Sequence, residues 1–270
     1  MTALWKVLGA GSILPRAGYG SSGYALRPAD GARWTLFDCG PGTLRALGAA
    51  GIALGDVERV VLSHFHPDHC WDVFALAFAR RNPNLRDLGE LELVGPRGLA
   101  AWLERGAAVY GSRGWTRFEG ARVLEVDPAG PGGFACEGLV REGLALSWTA
   151  TGHTPEALAW RADLEGGASV AYSGDSGENA DVAALARGVE LFACECSFPD
   201  DAAVAHHLTP SSAARLARAA GCRRLLLTHF YPELDPAEAR AVAARTFAGE
   251  IELARDQSEH ALPAGNPVSR

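Results

Sequence analysis

The sequence predicts an α/β (α+β) protein in which two β-sheets stack face to face with helices on their outer faces. Three observations point to it. Short apolar runs bounded by Gly, Pro and Asp alternate with stretches of three- and four-residue apolar spacing. The alternation runs through two successive cycles of strands followed by helices, and each cycle supplies one sheet and its cover. No break in composition resembles a linker. The best candidate, 128–133, is too short for a hinge, so residues 1–270 read as one domain.

In the first cycle, residues 4–8, 23–27 and 34–37 are expected strands. A helix over 43–50 is opened by Pro41-Gly42 and closed by Gly51. Arg59-Val60-Val61-Leu62-Ser63 reads as a short buried strand. A helix over 70–80 follows, with Trp71, Phe74, Ala75, Phe78 and Ala79 at helical spacing. A strand at 91–94 leads into a helix at 97–108. In the second cycle, strands are expected at 122–126, 144–150, 157–161 and 169–172, then a helix at 179–187 and a strand at 189–194. The next helix has Thr209 as N-cap, Pro210 in its first position and Gly221 just past its end. A strand at 224–227 follows. Asp235-Pro236-Ala237-Glu238 then opens the final helix with an N-cap, a Pro and a capping-box acid. The last strand is expected at 251–254, and the tail after Asp256 reads as loose.

Composition bounds the class. With 270 residues, 48% hydrophobic and 21% charged, the chain can bury a sizeable core. A net charge of −7 argues against a polyanion-binding surface. Cys39, Cys70, Cys136, Cys194, Cys196 and Cys222 follow no small-scaffold disulfide pattern and are expected as reduced thiols. Residues 1–6 lack a basic segment leading into an apolar one, and no run approaches a membrane span. A cytoplasmic enzyme is the natural expectation, with no membrane partner.

The chemistry concentrates in His64-Phe65-His66-Pro67-Asp68-His69. Four potential ligands sit at a strand-to-helix turn, where side chains converge instead of spreading over a face. Imidazole with carboxylate suits zinc, iron or manganese. Four ligands in one turn exceed what one open catalytic ion needs, which suggests two ions side by side. His153, Asp175 and His229 each follow an expected strand end, in Thr151-Gly152-His153, Ser173-Gly174-Asp175 and Leu227-Thr228-His229. Ligands at one edge of stacked sheets would meet in space.

These residues resemble the metallo-β-lactamase fold of metal-dependent hydrolases, and within it the ribonuclease Z-like branch. The resemblance spans nearly the whole chain. Leu8-Gly9-Ala10-Gly11-Ser12 and Phe37-Asp38-Cys39-Gly40 with Gly42-Thr43 match its opening motifs, and His64, His66, Asp68 and His69 match H-x-H-x-D-H. The resemblance implies a four-layer αββα sandwich and two divalent metal ions, zinc first, with manganese or iron as alternatives. It implies that His64, His66 and His153 hold one ion, that Asp68, His69 and His229 hold the other, and that Asp175 bridges them. Asp38 would orient ligands. Ala205-His206-His207-Leu208-Thr209 resembles the branch's H-x-T motif, with His207 in the histidine place and His206 a bystander. Glu195, in Cys194-Glu195-Cys196-Ser197, matches its acidic partner. Such a carboxylate tunes a histidine towards proton donation.

The catalytic expectation is therefore Asp68, His207 and Glu195, with a metal-bridging hydroxide attacking a phosphodiester. The partner expected is a small-molecule ester. A lactone or alkyl sulfate, transfer-RNA 3′ processing, and a non-hydrolytic metal-bearing role are the alternatives. Negative charge and the short stretch from His153 to Asp175, with no basic arm, disfavour a long nucleic acid. Similar enzymes are often homodimers. The segment 110–118 reads first as a surface loop, with a contribution of aromatic and basic groups to the pocket rim as the alternative.

Other signals carry less. Gly9-Ala10-Gly11 lacks the third glycine of a dinucleotide fingerprint, since position 14 is Leu14. Cys70, Cys194 and Cys196 read as core, and His260 as tail. Ser21-Ser22 and Ser211-Ser212 have no neighbouring base.

Overall fold

Why the strands pair as they do follows from where their apolar residues fall. The computed structural model describes residues 2–264 apart from 30, 32, 86–87, 112–113, 129–138 and 142. The first half contributes β1 (Ala3–Gly9), β2 (Gly23–Arg27), β3 (Trp34–Cys39), α1 (Thr43–Ala49), β4 (Val57–Val61), α2 (Pro67–Cys70), α3 (Asp72–Arg80), β5 (Glu92–Pro96), α4 (Leu99–Val109) and β6 (Arg122–Val126). The second contributes β7 (Leu139–Arg141), β8 (Leu144–Ala150), β9 (Leu158–Leu164), β10 (Ser169–Tyr172), α5 (Ala180–Leu185), β11 (Leu191–Glu195), α6 (Pro210–Ala220), β12 (Arg224–Thr228), α7 (Pro236–Ala243), β13 (Glu250–Leu253) and β14 (Glu259–Leu262).

Two seven-stranded mixed sheets result. Their orders are β14-β1-β2-β3-β4-β5-β6 and β13-β12-β11-β10-β9-β8-β7. Strands buried on both faces read as apolar on both faces. In β1, Trp5 and Val7 face the space between the sheets, while Leu4 and Leu8 face outward to pack under helices. Leu47 of α1, Val73 and Leu76 of α3 and Leu99 of α4 cover the outer face of the first sheet. Val182, Ala213, Ala217 and Ala239 of α5, α6 and α7 belong to the same core as the second sheet. The four layers are therefore αββα, as expected.

Between the sheets lies an aromatic cluster. Trp5 stacks on Tyr24 at 5.4 Å, and Tyr24 meets Tyr172 at 4.9 Å. Each fully buried aromatic stabilises the fold by roughly 1.5–3 kcal/mol. The two tyrosines also need partners for their hydroxyls. The Tyr24 hydroxyl lies 2.8 Å from Thr228 Oγ1, and Tyr172 donates to Asp38 Oδ2 at 2.6 Å. Both bonds point to the same edge of the sandwich.

The expected element ends hold closely. The strands over 23–27, 122–126, 144–150 and 169–172 match residue for residue. Thr209 caps α6 through Ser212, Gly221 ends it in the left-handed conformation, and Asp235 caps α7 through Ala237 and Glu238. Two expectations fail. The helix read over 70–80 is two pieces, because Trp71 ends α2 and begins α3. The tail is not loose, since β14 pairs antiparallel with β1, with Trp5 opposite His260. Its pattern of one buried residue in two is that of an edge strand. His260 is 6% exposed and bonds Glu252 and Ser258, so it is no tail residue. Residues 129–133 of the candidate linker, and Cys136, lie outside the described residues.

Candidate metal centre

The ligand run is placed by the end of β4. Hydrogen bonds from the second sheet clamp that end: Leu158 N–H donates to the Ser63 carbonyl at 2.9 Å, and the Trp160 indole Nε1–H to the Leu62 carbonyl at 3.1 Å. Pro67 then opens the single turn of α2, which buries Asp68 and His69. Gly40 lets this turn approach: a Cβ there would stand 1.9 Å from the Asp68 carbonyl oxygen. Gly174, at φ 55°, does the same for Asp175, because a Cβ would meet the Leu158 carbonyl oxygen at 2.8 Å. Both glycines are needed for close backbone approach.

All seven expected ligands meet in two groups. His64, His66, His153 and Asp175 bring ligand atoms within 4.8 Å of one another, and so do Asp68, His69 and His229. Asp175 stands between them. Its Oδ2 faces His153 Nε2 at 3.6 Å and His64 Nε2 at 3.8 Å, while Oδ1 faces His69 Nε2 at 3.2 Å and His229 Nε2 at 3.5 Å. Asp175 thus faces both groups at once.

The donor set fits divalent cations. Nε2 of His69 and of His229 face each other at 3.2 Å, and His153 Nε2 faces His66 Nδ1 at 3.2 Å. Buried His64 Nε2 and Asp175 Oδ1 have no well-aimed hydrogen-bond partner. Imidazole nitrogens and carboxylate oxygens that converge on one space are what a cation satisfies. Burial pushes His64 well below the usual imidazole range, so its lone pair is free. Burial would raise Asp175, but His229 and His69 outweigh it and hold the carboxyl well below its usual range. Burial would lower His69, but the Asp175 and Asp38 carboxylates outweigh it and hold the ring above the usual imidazole range.

Behind the ligands stand groups that orient them. Asp38, fully buried, accepts from Ser63 N, Ser63 Oγ, His69 Nδ1 and Tyr172 OH. His153 Nδ1 donates to the His206 carbonyl at 2.9 Å. His206 thus enters through its backbone, and its side chain is exposed as a bystander's would be. Asp38, His206 and His229 all hold positive φ, at 57°, 63° and 60°. Such backbone is uncommon away from glycine, and here it falls around the ligands.

Glu195 lies fully buried at the end of β11 and accepts from Ser176 N at 2.6 Å and Leu208 N at 3.2 Å. His207 Nδ1 stands 3.2 Å from Glu195 Oε2. Burial would lower the His207 ring, but the bond to Glu195 and its charge outweigh it, so its pKa lies above that of a free histidine. His207 also groups with Asp175 and His229. In the segment 110–118, Tyr110 lines a cavity with Phe65 and Cys70 beside the ligand run, while Trp115 stacks on Phe78 and Arg117 pairs with Glu104; residues 112–113 lie outside the described residues. Cys70, Cys194 and Cys196 are buried thiols raised well above their usual range by burial. Sequence reasoning missed Ser63, Ser197 and Tyr172, whose types carry no ligand signal. Only their positions beside strand ends could have marked them.

Residues 33–230 match the family model described as a beta-lactamase superfamily domain. The chain belongs to the metallo-β-lactamase superfamily. It is a hydrolase of that superfamily, with a His/Asp cluster for divalent metal. A ribonuclease Z of Mycobacterium sp. (strain KMS) is 30% identical over 267 residues, covering 93% of each chain. Among solved structures, the metallo-β-lactamase fold protein YhfI from Bacillus subtilis superposes with a TM-score of 0.81 at 23% identity, over 97% of this chain and 100% of that one. Human tRNase Z, short form, gives 0.76 at 21%, over 96% and 99%. These last two likenesses establish the superfamily fold. No helix among the described residues is long and apolar enough to cross a membrane.

Proposed function

We propose that this superfamily hydrolase is a dinuclear metal-dependent phosphodiesterase acting on a small diester. The observation that carries the reading is the Glu195–His207 pair beside Asp175 and His229. His64, His66 and His153 would hold one ion, Asp68, His69 and His229 the other, with Asp175 between. Bound there, two divalent cations would supply Lewis-acid polarisation of the ester and activation of water. The remaining work falls to the protein. Glu195 occupies His207 Nδ1, which leaves Nε2 as the atom that hands a proton to the departing alkoxide. Burial of Asp38 and Glu195 keeps that geometry fixed.

A small diester fits better than a long RNA. The path from His153 to Asp175 is a plain hairpin of β9 and β10, with no arm to grip a polymer, and the net charge is −7. Zinc is the first metal for a histidine-rich set with bridging carboxylate, with manganese and iron next.

The test is hydrolysis of bis(p-nitrophenyl) phosphate by protein reloaded separately with Zn²⁺, Mn²⁺ and Fe²⁺, beside a lactone and an alkyl sulfate. Metal-dependent turnover of the diester is expected. In Asp68→Ala one ion and nearly all turnover should go, and retained activity would sink the assignment. In His207→Ala the rate should fall about 10²–10⁴-fold with metal content intact. Turnover confined to the lactone or sulfate would replace the phosphodiester.

A further inference from the structure

Each buried carboxylate behind the site serves two histidines, one directly and one through a serine. Asp38 Oδ2 meets His69 Nδ1 at 2.7 Å, and reaches His64 through Ser63. Ser63 Oγ lies 2.8 Å from Asp38 Oδ2 and 3.0 Å from His64 Nδ1. Glu195 meets His207 Nδ1 directly, and reaches His229 through Ser197. Ser197 Oγ bonds Glu195 Oε2 and lies 3.0 Å from His229 Nδ1. Ser63, Ser197, Asp38, Glu195 and His64 are fully buried, and His229 is 2% exposed, so water does not compete for these bonds.

Proton counting then decides the direction of each bond. A serine hydroxyl has one proton to give. Asp38 Oδ2 already receives His69 Nδ1 and Tyr172 OH, so it acts as an acceptor, and the Ser63 proton goes to it. Ser63 Oγ must then accept from His64, which places that ring's proton on Nδ1. By the same count Ser197 gives its proton to Glu195, which also takes Ser176 N and Leu208 N, and accepts from His229 Nδ1. In both rings the lone pair is left on Nε2. That atom of His64 has no hydrogen-bond partner, and that of His229 faces His69 Nε2 at 3.2 Å.

We propose that Ser63 and Ser197 are paired positioning residues, each fixing the ligand tautomer of one histidine, Ser63 for the ion held with His153 and Ser197 for the ion held with Asp68. The proposal rests on the two-ion reading above. It makes the affinities of the two ions separately adjustable by two hydroxyls that never touch metal or substrate. The competing account is that the serines merely satisfy buried carboxylates.

The test uses the full chain. The imidazole tautomers of wild-type protein are read by long-range ¹H–¹⁵N correlation, and each ion's affinity by Co²⁺ titration against a chromophoric chelator. Wild type should show Nδ1–H for His64 and His229, a result that needs no variant to fold. Ser197→Ala should weaken one ion by about 10–100-fold and leave the other. Ser63→Ala should do the reverse, and Ser197→Thr, which keeps the hydroxyl, should restore the loss. Nε2–H rings in wild type would overturn the proposal. So would unchanged affinities in both alanine variants while wild type binds two ions. A wild type that binds no ion would instead overturn the two-ion reading itself, and this inference with it.

Discussion

The two sheets bring ligands to the shared edge in opposite ways. The first sheet delivers His64, His66, Asp68 and His69 from one turn after β4. The second delivers one residue at a time: His153 after β8, Asp175 after β10 and His229 after β12. The contiguous set is spaced by local backbone, through Pro67 and the single turn of α2. The dispersed set is spaced by strand pairing, so it depends on the whole sheet being in register. Local backbone thus makes a half-site, and tertiary structure completes it.

The comparison can be broken hardest at Asp175, the dispersed residue that faces both groups. Asp175→Ala should release both ions and lower turnover by more than about 10³-fold, as expected when several kcal/mol of electrostatic stabilisation vanish. Metal analysis beside the diester assay checks it. The contrast with Asp68→Ala is the point, because Asp68 belongs to one group and its loss should spare one ion.

A smaller effect is expected where the second sheet reaches back into the first. Tyr172→Phe removes the hydroxyl that donates to Asp38. Stability should fall by about 1.5–3 kcal/mol for a lost bond to a charged group, and affinity for the ion held by His69 by about tenfold. Denaturant unfolding and chelator competition read the two separately. If the halves were independent, the metal term would stay unchanged.

The smallest effect is expected at the far edge, where Glu252 of β13 meets His260 of β14 and Arg224 of β12. The bond to His260 is the main reason the Glu252 carboxyl sits below its usual range, ahead of burial, which opposes it. A lowered carboxyl stabilises the fold above its unfolded value of about 4.3, and that stabilisation is lost as pH falls through the folded value. Glu252→Gln should therefore destabilise slightly at pH 7, and the gap to wild type should narrow as pH falls below the usual carboxylate range. Thermal midpoints across pH 3–7 would show this, with turnover unchanged at pH 7.

The same contrast explains what could be read from sequence. The run 64–69 stands out in sequence because its candidate ligands are adjacent, and His153, Asp175 and His229 because each follows an apolar run in a Gly- or Thr-bearing turn; the structure brings all seven side chains into two groups. The αββα layering was legible from two cycles of strands and helices. Tyr172 was invisible, since a tyrosine in an apolar strand reads as core and only three dimensions put its hydroxyl against Asp38. Ser63 and Ser197 were invisible for the same reason. The His206 carbonyl could not be read at all, because backbone donors and acceptors are the same at every residue. Edge strands β7 and β14 were missed because runs of three or four residues, each including polar positions, give too little periodicity.

The pairing of β1 with β14 has a consequence in time. β1 leaves the ribosome long before its outer partner β14. Until Glu259–Leu262 arrive, the Ala3–Gly9 edge is open to other chains. This is also a very non-local contact, of the kind that slows folding. His229 precedes β14 in the chain, so the candidate ligands can gather before this edge of the sheet is closed.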